Sequence, residues 1–569
     1  MAMLGTPQTL VEALALTPRD ETRGFRFFGT DNKEHFFSYV AMEREAHRRA
    51  ALLTSLGLKK GDRLAMVVPE GHEFVLTFFG ACVAGIVPVP IFPRASFKGI
   101  DGYVDTIAHI ASAARANVLL TMESTKPYVE KILERDSSIR RIELTSELFA
   151  REAPAFTAPV VSPEELCFLQ FTSGSTSKPK GVMVTHANLV ANATSFLGPA
   201  GLDRREDDVG VSWLPLYHDM GLIGFALGTL IADIPAVLLP TSTFARGPKI
   251  WLETIAKYRG TITFAPNFAY ALAAKRIRER DLASLDLSCL RIAGCGAEPI
   301  HAQTMRDFSE KLAPAGFDPT CLLPSYGMAE ATLAITFHQR GTPILVDTVD
   351  ADAMKRGEAT PATASTEKAL EVVSCGVAFP GHEVAIVDDA GTQLGERRVG
   401  QIIARGPSIT SGYYENPEAT ALGWKDGWLQ TGDLGYFADG NLYICGRAKD
   451  LIIINGANFY PQDIEWALQD LEGIRRGNVV AFSVISNTSE QLVIAAEAAS
   501  TDAERLRQEI PAKVYDAFGL TMAHCAIVAV GTLPKTSSGK AQRLKTKQQF
   551  EEGLLAEHGT SRAAEGHED

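Results

Sequence analysis

The sequence predicts an α/β protein in which a large N-terminal region of helix-covered β-sheets is followed by a small, mobile C-terminal α+β domain. Three observations predict it. Over the first two thirds of the 569 residues, short apolar runs alternate with helical periodicities, the rhythm of parallel strands covered by helices. At Tyr436 that rhythm gives way to a hairpin followed by a shorter mixture of strands and helices. The length itself exceeds one compact domain and suits two to four.

The elements follow in order. Ser38 is placed to cap a helix running to about Leu56, with Gly57 at its C-terminal end. DRLAMVV (62–68) reads as a strand, residues 71–84 as a helix and IVPVPIF as the next strand. The segment FVLTFFGACVAGIVPVPIF (74–92) carries no charge over 19 residues, long enough to consider as a membrane span. Gly80, Gly85, Pro88 and Pro90 interrupt it and favour a buried helix followed by a buried strand. NVLLT (117–121), AVLLP (236–240), TITFAP (261–266) and LRIAGCG (290–296) read as further short buried strands. Past Tyr436, Asp439-Gly440 lies between β-rich flanks, a hairpin turn whose two positions both need positive φ. The strands NVVAFSVI and QLVIAAEA, a helix at about 502–518 and the strand CAIVAV complete the second unit. The boundary is placed near Arg447 to Asp450, which divides the chain into 1–448 and 449–569. The charged, small-residue end is expected to be disordered from about residue 556. DADAMKRGEATPATASTEK (350–368) is poor in large apolar residues and reads as an exposed insertion.

Composition narrows the function classes. A hydrophobic fraction of 46% and a charged fraction of 22% are those of a globular protein with a sizeable core. A net charge of −13 argues against general binding of nucleic acid or anionic membrane, without excluding a local cationic site. The 8 cysteines show no CxxC pair and no zinc-ligand spacing, so they read as reduced, mostly buried thiols of a cytoplasmic protein. The N-terminus has no basic, secretory-type leader.

One loop stands out chemically. FTSGSTSKPKG (171–181) sits between the apolar runs LCFLQ and VMVTHANL. Glycine lets backbone N–H groups approach a phosphate, hydroxyls add donors and lysine adds charge; Thr172, Ser173, Gly174, Ser175, Thr176 and Lys180 supply all three. The loop is not a Walker A motif, because Pro179 stands where that pattern needs glycine, and a P-loop phosphotransferase is disfavoured accordingly. A solvated Ser/Thr linker stays open as a reading of the loop alone. Further polar residues recur in apolar or turn-like settings: His218 and Asp219 in LPLYHDMGLIG, Tyr326 and Glu330 in the small-residue turn PSYGMAEAT, Asp433 in WLQTGDLGYF, Arg447 in GRAKD, and Lys540 in the flexible loop LPKTSSGKAQRLKTK. Taken singly, each has a plain structural alternative: a core histidine or tyrosine, a helix-start glutamate, a turn aspartate, a surface cation.

Taken together and in this order, these motifs resemble the adenylate-forming superfamily of acyl-CoA synthetases, amino-acid adenylation domains and luciferases, over about residues 30–550. Within it the chain is most similar to the fatty acyl-AMP ligases. DLIIINGANFYPQDIE (450–465) carries that resemblance, together with the long gap between Glu330 and Gly376 that holds the 350–368 segment.

The resemblance implies a reaction and its parts. A fatty acid and MgATP give acyl-adenylate and pyrophosphate, and the acyl group passes to the phosphopantetheine thiol of an acyl carrier protein or of a carrier domain in a polyketide or non-ribosomal peptide synthase. Thr172 to Thr176 and Lys180 would hold the β- and γ-phosphates, and Glu330 would ligate Mg²⁺. Gly296, Ala297 and Glu298 with Ser325, Tyr326, Gly327 and Met328 would form the adenine pocket, Tyr326 stacking on the base. Asp433 would accept from the ribose hydroxyls, Arg447 would add a ribose or phosphate contact, and His218 would sit beside the acid's carboxylate. Lys540 would stabilise the charge that develops when a carboxylate attacks the α-phosphorus. Lys449 would be the hinge about which the small domain swings Lys540 in and out, and the 350–368 insertion would restrain that swing. The acyl tail would enter an apolar tunnel partly lined by residues 220–230. The stretch Lys535–Lys547, with four lysines, Arg543 and no acid, would contact phosphates or an acidic carrier protein, or simply be a solvated basic face. Two other functions remain in view: a long-chain acyl-CoA synthetase, and a nucleotide-binding regulator without catalysis.

Overall fold

A computed structural model describes residues 7–31, 33–94, 100–172, 178–475, 477–486, 489–536 and 539–558. The short apolar runs of the sequence become the centre of a 9-stranded sheet, ordered Val377–Ala378, Ala334–Phe337, Leu322–Gly327, Ile292–Cys295, Ile262–Ala265, Gly210–Ser212, Ala236–Leu238, Gly24–Phe28, Glu34–Ser38. From Gly24–Phe28 to Leu322–Gly327 the pairing is parallel, and the two flanks close with antiparallel strands. Ile262–Ala265 and Ile292–Cys295 are buried at every position, as expected of parallel strands covered on both faces.

A second sheet of 4 parallel strands runs Val87–Pro90, Arg63–Val67, Val118–Thr121, Arg141–Leu144. Its edge is the Val-Pro-Val-Pro strand, where the missing proline N–H groups cost least. The charge-free segment is therefore the buried helix Gly71–Val83 followed by that strand, and among the described residues no helix is long and apolar enough to cross a membrane. The predicted Ser38 cap is present: its Oγ accepts from Ala41 N at 3.1 Å at the start of the helix Tyr39–Ser55, worth about 1 kcal/mol. A third, antiparallel sheet of 5 strands ends in the hairpin Trp428–Ala438/Asn441–Arg447, whose turn residues Asp439 and Gly440 have φ of 49° and 72°. These are the left-handed values the Asp-Gly pair was expected to adopt.

From Ile452 onward the chain builds a separate apolar core. Ile452, Ile464, Leu468, Leu492, Ile494, Leu506, Ile510 and Val514 pack together between a 3-stranded sheet (Val479–Ser486, Ser489–Glu497, Met522–Val528) and the helices Pro461–Leu468 and Ala503–Phe518. Beside it lies a half-buried acidic pair, Asp463 and Glu465. Burial and the neighbouring Glu465 push the Asp463 carboxyl up to about 7. Between its unfolded and folded pKa values the native state binds more protons than the unfolded chain, so this group's contribution falls as pH rises from about 4 to about 7. Asp463→Asn is expected to flatten the decline of the thermal midpoint over that window, as measured by unfolding at successive pH values.

Two expectations need correction. The tail does not lose its order at 556: His558 N donates to Ile527 O at 2.8 Å and Glu557 pairs with His524 at 2.8 Å, because Met522–Val528 offers a free sheet edge there. Residues 559–569 lie outside the described residues. Nor is the 350–368 segment simply exposed. It joins the paired strands Val346–Asp350 and Ala369–Val373, and Met354 and Ala359 are buried against Tyr436, Tyr443 and Tyr460. It also touches the C-terminal unit: Lys355 lies 5.3 Å above the Phe459 ring and Lys368 Nζ donates to Asp516 O at 2.9 Å.

Candidate active site

A cavity of about 2470 Å³ lies between the N-terminal sheets and the unit built from Ile452 onward. Thr172, Lys180, His218 and Glu330 border it, as do Ala297, Glu298 and Ser325 to Met328. Asp433, Arg447, Lys449 and Lys540 complete the set. Gly296 is buried just behind the wall, an added Cβ there falling 2.7 Å from Ser325 Oγ. Ser173, Gly174, Ser175 and Thr176 lie outside the described residues.

The base of the phosphate-type loop is firmly held. Leu166–Phe171 and Gly181–Thr185 pair as a hairpin, and Thr172 N donates to Lys180 O at 3.0 Å. Gln170 Nε2 donates to Tyr217 O at 3.0 Å, which joins this hairpin to the His218 segment. Thr185 and Asn188 form a reciprocal capping box at the start of the following helix, His186–Leu197.

His218 and Asp219 form a pair, Nδ1 to Oδ1 at 2.6 Å. A carboxylate only accepts, so the proton sits on Nδ1 and Nε2 of a neutral ring is left as an acceptor. Burial works against ionisation of Asp219, but His218 and Lys540 beside it hold the carboxyl below its ordinary value.

Tyr326 is not in a turn. It is the penultimate residue of the strand Leu322–Gly327, and the pairing with Ala334–Phe337 shifts register after it. Gly327 allows that shift, since a Cβ there would sit 1.9 Å from Leu333 O. The Tyr326 hydroxyl donates to Asp433 Oδ2 at 2.7 Å, and Arg447 Nε lies 3.2 Å from Oδ1. Burial pushes the Asp433 carboxyl up, and Arg447 opposes it. Asp433 and Arg447 face each other across the hairpin because they are paired in register.

Glu330 is buried rather than exposed, in the short 3₁₀ turn Ala329–Ala331. Its Oε1 accepts the Tyr413 hydroxyl at 2.7 Å, and its backbone carbonyl accepts from Thr410 N and Oγ1. Burial raises its pKa. Two residues on, Thr332 has φ 68° and ψ −64°, and Leu333 N donates to Ala331 O at 2.9 Å. This is a γ-turn of the rare, strained kind. Among the described residues no three His, Cys, Asp or Glu side chains converge as a metal cluster. A single buried carboxylate fits Mg²⁺, which is commonly held by one or two carboxylates plus nucleotide phosphates and water.

Lys540 enters the cavity from the C-terminal unit. Its loop closes on itself, Thr536 N donating to Lys540 O at 2.7 Å and Lys540 N to Thr536 Oγ1 at 3.0 Å. Burial lowers the Lys540 pKa, while Glu298 and Asp219 pull it back up. Glu298, assigned by resemblance to an adenine pocket, thus faces the lysine electrostatically; its Oε1 accepts from Phe268 N at 2.6 Å. Lys449 lies in the turn Ala448–Asp450 that joins the two units, and burial lowers its pKa.

The reading by residue pattern missed Tyr413, and it misjudged Arg543. The doublet in GYYENPEAT was the available signal for Tyr413. Arg543 belongs to no basic face: it pairs with Asp450 at 2.8 Å and Glu465 at 2.7 Å and donates through Nε to Ala481 O at 2.9 Å. Across the same junction His301 packs against Trp466, with ring centroids 4.6 Å apart.

A limb of the cavity lies within the core of residues 1–448, lined by Phe196, Leu202, Phe225, Thr229, Ile234 and Phe264. Phe225 belongs to a π-helical turn, Leu222–Leu227, a local widening common where a helix borders a site. Leu202 and Ile234 in this limb are buried, 2% and 1% exposed.

Comparison with known proteins adds the following. The family description "AMP-binding enzyme" matches residues 20–414, and "Disco-interacting protein 2-like, AMP domain" matches residues 449–559. A provisionally named acyl-CoA synthetase of Caulobacter vibrioides is 37% identical, over 96% of each chain. The long-chain-fatty-acid–AMP ligase FadD32 of Mycolicibacterium smegmatis is 34% identical over 87% of this chain and 86% of its own. The medium-chain-fatty-acid–[acyl-carrier-protein] ligase JamA of Moorena producens is 32% identical over 94% and 93%. A solved structure from work on fatty acyl-adenylate ligases of E. coli and L. pneumophila superposes with a TM-score of 0.90 at 35% identity, covering 96% of this chain and 98% of that one.

Proposed function

The chain belongs to the AMP-binding family of adenylate-forming enzymes, and on that premise we propose that it is a fatty acyl-AMP ligase. It condenses a fatty acid with ATP, releasing pyrophosphate, and then passes the acyl group to the thiol of a carrier protein. The observation that carries this reading is one cavity in which Lys540, an Asp–Tyr–Arg cluster and a buried glutamate meet an apolar limb. In the first step the carboxylate oxygen attacks the α-phosphorus and the bond to the β,γ-diphosphate breaks. Lys540 offsets the negative charge of that crowded state, and His218 contacts the acid's head group. Asp433 and Arg447 hold the ribose end, and Tyr326, tethered by its hydroxyl, presents its ring to the base. Thr172 and Lys180, with the loop between them, take the leaving phosphates. Glu330 would hold Mg²⁺, which supplies charge neutralisation to the phosphates when bound. In the second step the thiolate attacks the acyl carbonyl and AMP leaves.

The division at 448/449, with Lys449 as the hinge, is supported by the separate core beyond Ile452 and by the second family match beginning at 449. The contacts of Lys355 and Lys368 with the C-terminal unit support a restraining role for the 350–368 insertion. Deleting its exposed part is expected to raise acyl-CoA formation relative to acyl-AMP accumulation; an unchanged product ratio would count against the restraint.

The apolar limb supports a fatty acid as substrate, its tail lying among Phe225, Thr229 and Ile234. Each buried methylene is worth about 0.8 kcal/mol. Thr229→Phe, which fills the space of two or three methylenes, is expected to lower kcat/KM for the longest accepted acids roughly thirtyfold and to spare shorter ones. Competition between acids of graded length, read by mass spectrometry of the adenylates, checks this.

The similarity to JamA supports a carrier-protein acceptor, and the similarity to the Caulobacter protein favours a second reading, an acyl-CoA synthetase with the same first step. Offering CoA and a phosphopantetheinylated carrier protein in competition separates them: acyl-carrier product supports the first, abundant acyl-CoA the second. Reduced thiols throughout, with all 8 cysteines free, support a cytoplasmic setting.

A further inference from the structure

Tyr413 is built into the floor of the site from three directions. Its backbone runs beside the strand that follows the phosphate-type loop: it pairs with Val182, while Met183 N donates to Gly412 O at 3.1 Å and Tyr414 N to Gly181 O at 2.8 Å. Its amide donates to Thr420 Oγ1 at 2.9 Å, in the helix Pro417–Gly423 capped by Asn416. Its ring packs edge-on to Trp424 at 5.2 Å and carries Lys180 Nζ 5.0 Å above its face. Tyr413 lines the cavity, and its hydroxyl donates to Glu330 Oε1 at 2.7 Å. The same segment also secures the Glu330 backbone, through Thr410.

We propose that Tyr413 is a positioning residue that orients the Glu330 carboxylate toward a magnesium–nucleotide complex and couples that carboxylate to the Lys180 end of the phosphate loop. The inference rests on the reading of Glu330 as the metal ligand. A carboxylate on a glutamate side chain rotates freely unless one oxygen is engaged. A phenol held by Trp424 and by a backbone bridge engages Oε1 and would leave Oε2 to the metal. Mg²⁺ demands near-ideal octahedral geometry, so a ligand fixed in advance binds it more tightly than a rotating one. Outer partners of metal ligands are commonly worth 10- to 100-fold in affinity. Because the Tyr413 ring also faces Lys180, one side chain sets the spacing between the metal-binding carboxylate and a phosphate-binding cation.

The test is equilibrium binding of ATP to the full-length protein, by calorimetry, without Mg²⁺ and across a Mg²⁺ titration. Tyr413→Phe keeps the ring beneath Lys180 and the packing on Trp424 and removes only the donor. It is expected to raise the Mg²⁺ concentration at half-effect about tenfold, leave Mg²⁺-free ATP affinity within about twofold of the parent, and raise the KM for MgATP more than it lowers kcat. Glu330→Gln is run in parallel and should shift the Mg²⁺ half-effect at least as far. A shift in Glu330→Gln with none in Tyr413→Phe overturns the role of Tyr413 and spares the metal reading. A Mg²⁺ dependence unmoved in Glu330→Gln overturns both. Equal losses of ATP affinity with and without Mg²⁺ in Tyr413→Phe make its hydroxyl a general packing element and likewise overturn the proposal.

Discussion

Lys540→Ala is expected to slow acyl-AMP formation by about 100- to 1000-fold, while acyl transfer from supplied acyl-AMP to the carrier thiol stays within about threefold of the parent. The asymmetry follows from what the side chain faces. The attack brings a carboxylate to an already anionic phosphorus centre, and the charge grows on the equatorial and bridging oxygens. Thiol attack on an acyl-adenylate needs no such cation. Burial lowers the Lys540 pKa, and Glu298 and Asp219 only partly restore it. The charged, useful form is therefore lost at a pH below the ordinary lysine range. The alkaline limb of kcat/KM for adenylation should fall correspondingly early, and Lys540→Arg should move that limb upward even though its rate is lower. Single-turnover measurement of pyrophosphate release against pH reads both effects.

Arg543→Met is expected to cost the C-terminal unit about 3 kcal/mol, near the lower end for breaking a buried ion network. The Arg543 side chain is 20% exposed and joins Asp450 to Glu465, whose side chains are 11% and 18% exposed. Removing it leaves two carboxylates that act on each other without the cation that joins them. Asp450 follows the proposed hinge residue and Arg543 stands three positions after Lys540, so the same change should also lower adenylation by loosening the loop that presents the lysine. Denaturant unfolding followed by tryptophan emission measures the first effect, with Trp466 as the reporter within the C-terminal unit. Adding Asp450→Asn and Glu465→Gln to Arg543→Met should recover part of the stability, because it removes the stranded charges rather than restoring the network.

Residue pattern served best where physics is local. Ser38 caps its helix because a hydroxyl at that position meets an orphan amide one turn on, and Asp439-Gly440 turns because few other pairs accept two positive φ angles. The strands Ile262–Ala265 and Ile292–Cys295 were legible as unbroken apolar runs, since a parallel strand buried on both faces needs no alternation. What stayed hidden depends on partners remote in sequence. Glu330 reads as a helix-start acid until Tyr413 is brought to it by the pairing of Gly181–Thr185 with residues 412–414. Arg543 reads as one more cation in a basic run, because Asp450 and Glu465 lie far upstream. Tyr326 reads as a turn residue from its small neighbours, yet the shift of register at Gly327 keeps it on a strand. The 350–368 segment looks solvent-like in composition, but two side chains, Met354 and Ala359, suffice to seat it on a tyrosine cluster.

The central claim is that this cleft joins a fatty acid to AMP. Incubating the purified chain with MgATP and a mixture of fatty acids, and weighing the products by mass spectrometry before any acceptor is added, tests it most directly. Acyl-AMP and pyrophosphate formed in equal amounts, only when fatty acid is present, is the predicted result. Conversion of ATP to ADP and phosphate, or ATP turnover indifferent to fatty acid, would contradict it.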